Sequence, residues 1–409
     1  MCKITKENDS LQRQTENKDE DSQKIVCNEN VPELRFPEFE EEWKEHEFGT
    51  LFTIKNGLNK GKEYFNHGTP ILNYIDVNKR IFNSKNTIEG TVEVSAEEIK
   101  RYCVKNNDLF LTRTSETSDE IGLTSSYNGD SNNTVFSGFI LRARPKKQDI
   151  NSLFYAYYLR TNKMRFNIIK YSSITTRALI NSKNLSKMRV KLPDYNEQKK
   201  ISTFLSAIDK KIGFMEKEIN KQSKYMKKIR ENILNDNSDN SNKVQLKEIC
   251  IINKGKQLNK TNMINDGKYY VLNGGKTPSG FTNSWNVPEN TISISEGGNS
   301  CGFVNYNVQK FYCGGHCYYL TNISDEIDPL LLYHCLKMNE NKIMNLRVGS
   351  GLPNIQKKDL EKYKLYIPTK NHEKITYLLN NINLKIDLNK EKLNHLKQFK
   401  KGLLQKMFC

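Results

Sequence analysis

Apolar residues in two stretches of this chain recur in alternating steps of four and three. Ile201, Ile208, Met215, Gln222 and Ile229 lie seven apart, and Leu205, Ile212, Ile219, Met226 and Ile233 interleave with them. This is the seam of a left-handed coiled coil, and it predicts a helix over residues 195–234. The pattern returns as Ile375, Ile382, Leu396 and Leu403 with Leu379, Ile386, Leu393 and Met407, interrupted at Asn389 and Lys400. It predicts a second helix over 370–409. Gln222 and Asn389 are polar seam positions, which fix register at some cost in stability. Each helix could instead pack on its own domain, but ~39 residues at ~1.5 Å each span roughly 58 Å, more than a small domain. Just ahead of each helix the period changes to two. Met188, Val190 and Leu192 precede Pro193, and Tyr363, Leu365 and Ile367 precede Pro368, each the pattern of a half-buried strand.

These coincidences belong to a duplication. LINSKNLSKMRVKLP, from Leu179, aligns with NIQKKDLEKYKLYIP, from Asn354, at a constant offset of 175. With one residue deleted, KISTFLSAIDKKI then matches KITYLLNNINLKI, and YMKKIRENIL matches FKKGLLQKMF. Upstream, FGTLFTIKNG (Phe48–Gly57) parallels LKEICIINKG (Leu246–Gly255), and NDLFLTRTSE (Asn107–Glu116) parallels NTISISEGG (Asn290–Gly298). The ends of the copies agree and their centres diverge, which points to one task performed on two targets. The expected fold is α+β: two strand-rich domains, each followed by a long helix. Because the second helix starts where the second domain ends, it returns antiparallel to the first, giving pseudo-two-fold symmetry.

The boundaries follow from composition. Residues 1–30 are polar and read as a disordered tail. The first domain spans 31–194 and its helix 195–234. NDNSDNSN marks a linker at 235–242, then come a second domain at 243–369 and its helix at 370–409. Hydrophobic residues make up 36% and charged residues 27%, which fits a soluble globular protein. The net charge of +17 is unevenly placed: residues 1–47 carry −7, leaving +24 on the remainder. A basic body of that size points to a polyanionic partner, nucleic acid first among them, although solvated lysine faces give the same count. No apolar run approaches the ~18–20 residues of a membrane span, and no signal peptide is apparent. Nine scattered cysteines fit reduced thiols in the cytoplasm.

Three motifs invite catalytic readings. PDYNEQK places Asp194, Glu197 and Lys199 in the order of a metal-dependent nuclease. Carboxylates three apart at a strand-to-helix junction also have the spacing of a capping box, and the second copy, PTKNHEK, lacks the set. NGGKTPSG (Asn273–Gly280) contains GGKT but has Tyr270 where a P-loop needs glycine, and Pro278 where it needs a helix; it reads as a turn. CGGHC (Cys313–Cys317) matches no zinc-knuckle spacing and reads as buried free cysteine. No catalytic residues and no metal site are assigned. What remains is recognition chemistry. Arg113, Thr114 and Ser115 follow a strand, and Arg113 suits bidentate contact with guanine. Arg177 and Lys183 in the first domain, and Lys254, Lys256, Asn273, Ser295, Ser350, Asn354, Lys357 and Lys358 in the second, lie in comparable polar loops, where solvation competes with base contact.

Taken together, LRFPEFEEEW (Leu34–Trp43) ahead of FGTLFTIKNG, NDLFLTRTSE with its counterpart NTISISEGGN, and GSGLPNIQKKDLEKYKLYIP with the terminal FKKGLLQKMF resemble the specificity subunit of type I restriction-modification systems, over roughly residues 31–409. The resemblance implies two target-recognition domains that read the halves of a bipartite double-stranded DNA site. It implies helices that dock two methyltransferase subunits, with two restriction subunits completing the assembly. S-adenosylmethionine would belong to the methyltransferase subunit, ATP and Mg to the restriction subunit, and no cofactor to this chain. The helix length would limit the unread gap to about 17 base pairs. A self-sufficient nuclease using Asp194, Glu197 and Lys199, and a coiled-coil scaffold without a DNA role, are the competing readings.

Overall fold

The computed structural model describes residues 30–129, 133–174, 176–234, 241–349, 351 and 353–409. The expected tail up to residue 29, linker residues 235–240 and Ser350 lie outside the described residues. The chain divides into two compact units, one running to Ser206 and including Lys400–Cys409, the other comprising Ala207–Phe399.

The first unit is built on a five-stranded sheet with the spatial order Phe52–Asn56, Ile140–Pro145, Leu109–Thr112, Thr124–Tyr127, Phe82–Asn83. Leu109, Phe110 and Leu111 are all fully buried, so this central strand is an unbroken apolar run rather than an alternating one. The opening strand Lys44–Glu47 pairs antiparallel with Arg189–Leu192, joining the beginning of the unit to the strand that feeds the long helix. The second unit repeats this plan with the order Ile251–Lys254, Cys317–Thr321, Thr291–Ser295, Val304–Asn307. Its closing pair is Ser241–Gln245 with Lys364–Pro368. Ser241 and Asn242, placed in the linker by composition, are therefore strand. Ladder pairing with Ile367 and Pro368 outweighs their low intrinsic strand preference.

The duplication extends to single backbone hydrogen bonds. Leu58 N donates to Phe136 O at 2.9 Å, and Lys256 N to Cys313 O at 2.9 Å. Ser137 N donates to Leu72 O at 3.0 Å, and Gly314 N to Leu272 O at 2.8 Å. The glycines ending the FTIKNG and INKG segments share one reason: a Cβ on Gly57 or Gly255 would lie 2.2 Å from the carbonyl oxygen of Ser137 or Gly314. Asn107 and Asn290 open equivalent central strands in the left-handed region, at φ 64° and 58°, a conformation asparagine tolerates better than most residues.

The long helices run Tyr195–Leu234 and His372–Lys406, the second shorter at both ends than 370–409. In the Ala207–Phe399 unit they pair antiparallel: Glu216 meets Lys397 at 2.6 Å, Gln222 meets Asn389 at 3.1 Å, and Arg230 meets Asn383 at 3.4 Å. The seam residues Ile201, Leu205, Ile208, Leu379 and Ile386 are buried, and Ile212, Ile219, Ile375, Ile382 and Leu393 half-buried. The two polar seam residues meet each other. Asn389→Leu strands the Gln222 amide and is expected to lower stability by about 1 kcal/mol. The double change to leucine is expected to restore or exceed the starting melting temperature, with register less sharply fixed. A double variant less stable than Asn389→Leu alone would contradict this account.

The helix ends also belong to the cores of their units. Met226, Leu234, Leu379 and Ile386 pack with Leu331, Leu332, Ile355 and Leu365. In the other unit, the Phe408 ring stacks on Tyr158 at 5.7 Å and packs against Trp43 and Phe154. Among the described residues, the buried apolar packing of the helices on the domains thus lies toward their ends.

Candidate nucleic-acid interface

At one end of each central strand, five chain segments converge on a common backbone frame. Arg113 N donates to Phe139 O at 2.9 Å, and Glu296 N to His316 O at 2.9 Å. Arg113 O accepts from Ile180 N at 3.0 Å, and Glu296 O from Ile355 N at 2.8 Å. Thr112 O accepts from Gly122 N at 2.9 Å, and Ser295 O from Gly302 N at 2.8 Å. The frame is the same, yet the side chains differ in kind. Arg113 stands where the second unit has Glu296, Phe139 where it has His316, and Tyr74 where it has Gly274.

In the first unit the frame borders an open cavity of about 400 Å³ lined by Tyr74, Thr114, Ser115, Glu116, Thr117, Glu120, Phe139 and Arg177. The Tyr74 hydroxyl donates to Glu120 Oε2 at 2.9 Å, and Ser115 Oγ approaches the same oxygen at 3.5 Å. Burial, with the Glu120 carboxylate adding to it, raises the Tyr74 phenol above its usual range, so it remains a donor. Phe139 is 63% exposed. Arg177 and Glu116 are both exposed, 3.8 Å apart.

In the second unit Glu296 is buried, its Oε1 accepting from Lys254 Nζ at 2.7 Å and Tyr318 Oη at 3.0 Å. Asn273 Oδ1 accepts from His316 N at 3.2 Å. Gly274 has φ 86°, and a Cβ there would lie 3.1 Å from His316 O. Lys256 is exposed beside these loops.

The described residues expected to face DNA thus divide into exposed, half-buried and buried groups. Arg177, Lys183, Lys254, Lys256, Lys357 and Lys358 are exposed, and Thr114, Asn273 and Asn354 half-buried. Lys357 also pairs with Glu361 at 3.6 Å. Arg113 is half-buried and turns Nη1 toward Gly138 O at 3.3 Å, so part of its donor fork holds the Phe139 turn. Ser115 and Ser295 are buried; Ser115 Oγ accepts from Thr117 N at 3.2 Å, and Ser295 Oγ donates to Gly274 O. Both serines are buried with their hydroxyls bonded to neighbouring loop backbone, so they support the loops. Tyr74, Glu120 and Phe139 went unmarked in the sequence, while Glu296 and His316 lay inside the SEGGN and CGGHC motifs without being singled out for DNA contact. The signal available was their position beside the marked loops once the two copies are aligned.

The catalytic motifs dissolve on inspection. Asp194 Oδ1 caps the helix through Asn196 N at 2.7 Å. Glu197 does not complete a capping box. It is fully buried, its two oxygens accepting from Arg35 Nε and Nη2 at 2.8 Å each, with Trp43 Nε1 at 3.2 Å. A carboxylate engaged in this way is not presented to a metal. The GGKT turn leads into the strand Gly280–Thr282, not a helix. Cys313 and Cys317 are buried; the hydrogen bond that the Cys313 thiol donates to Cys317, and burial, raise the Cys313 thiol. Burial pushes the Cys250 and Cys335 thiols up to about 12, whereas a metal ligand must be thiolate. Among the described residues, no group of three or more His, Cys, Asp or Glu side chains is placed to hold a metal. No described helix is long and apolar enough to cross a membrane.

The family model described as type I restriction modification DNA specificity domain matches the chain twice, over residues 40–222 and 238–398. A protein of Mycoplasma pneumoniae named as a type I specificity subunit is 41% identical over 129 residues, 31% of this chain and 34% of its own length. The aligned stretch therefore spans only about a third of that relative. A Methanocaldococcus jannaschii protein named as the specificity subunit of a type I restriction enzyme is 24% identical over 416 residues, covering 92% of this chain and 95% of its own. The solved S subunit of a type I restriction-modification system from M. genitalium matches in fold, with a TM-score of 0.67, 18% identity, and coverage of 93% of this chain and 99% of that one.

Proposed function

Because the chain belongs to the type I restriction-modification DNA specificity family, we propose that it is the DNA-reading subunit of a type I restriction-modification complex. Each unit reads one half of a split double-stranded target, and the paired helices dock the partner subunits. One observation carries the reading: an identical backbone frame presents Arg113, Phe139 and Tyr74 in one unit, and Glu296, His316 and Gly274 in the other. A duplicated frame with side chains of different hydrogen-bonding character is what reading two different half-sites requires. The basic body supplies sequence-independent attraction to phosphates, and the loops supply discrimination.

The chain itself is non-catalytic in this reading. Two methyltransferase subunits carry S-adenosylmethionine, and two restriction subunits carry ATP and Mg. Phe214, Tyr225, Tyr377 and Leu384 lie on the helices outside the seam and are 55–74% exposed, apolar surface of the kind a partner would cover. The test exchanges residues 243–369 for those of another family member and maps modified bases after expression with the methyltransferase. One half of the methylated motif is expected to change while the other stays as it was. A change in both halves, or in neither, overturns modular reading.

A further inference from the structure

The cavity of the first unit is preorganised around one carboxylate. Glu120 ends the short turn Ser118–Glu120, and its backbone is held on both sides. Thr112 Oγ1 donates to Glu120 O at 2.5 Å and accepts from Leu123 N at 2.9 Å, while Arg165 Nη2 donates to Asp119 O at 3.2 Å and also to Ile121 O. Gly122 follows at φ 64°, packed so that a Cβ would lie 2.5 Å from Ile168 Cγ2. Tyr74 fixes Oε2; among the described residues nothing partners Oε1, and Glu120 is exposed. The exposed Phe139 ring forms the apolar wall beside it.

An unpaired carboxylate facing a polyanion is repelled unless it meets a donor. In the major groove the donors are exocyclic amino groups: N4 of cytosine and N6 of adenine. Guanine O6 and N7 and thymine O4 present only lone pairs, so a carboxylate both selects the amino bases and rejects the others. We infer that Glu120, steered by Tyr74 and walled by Phe139, is a specificity-determining residue that accepts a hydrogen bond from the exocyclic amino group of one adenine or cytosine in the half-site read by the first unit. This rests on the DNA-reading function proposed above. The second unit has Gly274 and His316 at the corresponding places, so the contact belongs to one half-site only.

The experiment is modified-base mapping of DNA methylated by the full chain with its methyltransferase, comparing the starting chain with Glu120→Gln and Tyr74→Phe. Glutamine adds a donor, so one position of one half-site is expected to lose roughly tenfold to hundredfold of its discrimination and to admit bases presenting acceptors. The other half-site serves as the internal control for folding and assembly. The lost base identifies adenine or cytosine. An unchanged motif with Glu120→Gln, or relaxation in both halves, overturns the proposal. If Glu120→Gln abolishes methylation altogether, Tyr74→Phe decides: relaxation at one position supports the contact, and an unchanged motif refutes it. A starting chain that directs methylation to no split motif instead refutes the underlying function.

Discussion

Glu197→Gln is expected to destabilise the first unit by about 3–5 kcal/mol, among the largest effects available from a single atom exchange in this chain. The carboxylate is fully buried and receives three hydrogen bonds, two from Arg35 and one from Trp43. With an amide there, the Arg35 guanidinium keeps its charge and loses its counter-ion. The hydrogen bonds that Arg35 donates to Glu197 are also the main cause that raises the Arg35 pKa. A buried pair need not be more stable than an apolar substitute of the same shape, but removing one partner leaves the other unpaired. The combined change Arg35→Met with Glu197→Leu should therefore cost less than the sum of the single changes. Denaturant titration of Glu197→Gln and of the four chains of the cycle checks both statements. A loss below 1 kcal/mol for Glu197→Gln, or strict additivity in the cycle, would remove Glu197 from this role. Because Trp43 packs on Phe408 and Leu34 N donates to Lys406 O at 2.8 Å, the weakened chain should also be cleaved faster near its C-terminus by protease.

This clamp shows what the sequence concealed. Arg35 and Glu197 are 162 residues apart, and no local pattern joins them. LRFPEFEEEW was visible as a motif and PDYNEQK as a suspicious carboxylate set, yet only their meeting explains either. The helices were legible because a seven-residue apolar period is a strong local signal, and the strands before Pro193 and Pro368 because alternation is another. Ser241 and Asn242 were missed because their strand is imposed by a ladder partner more than a hundred residues away. The polar loops marked in the sequence do border the shared frame, but the groove beside it also draws on side chains outside them. TRTSE supplies Thr114, Ser115 and Glu116 to this cavity, and Tyr74, Glu120 and Phe139 reach it from three other segments. Alignment of the two copies is the device that recovers them, since backbone equivalence turns a list of polar loops into pairs of corresponding positions.

The second unit is expected to lose stability in mild acid through a single residue, His334. It is fully buried on the helix Pro329–Met338, and Arg230 Nη2 donates to its Nδ1 at 3.2 Å. Burial first, and the Arg230 charge second, lower its pKa from 6.5 to about 3. A folded-state pKa below the unfolded value means that the unfolded chain takes up the proton first. The stability carried by the neutral imidazole is therefore complete above about pH 6.5 and declines as the pH falls toward about 3. The decline amounts to about 1.4 kcal/mol per pH unit, or roughly 2 kcal/mol at pH 5. His334→Asn keeps an acceptor for Arg230 and has no titrating group. It is expected to be somewhat less stable at pH 7, because the smaller side chain leaves space in a packed site, yet to lose less between pH 7 and pH 5. Urea midpoints measured at both values for the two chains isolate the histidine from the carboxylates they share. Parallel loss in both chains would mean that the imidazole is not the group that couples this unit to pH.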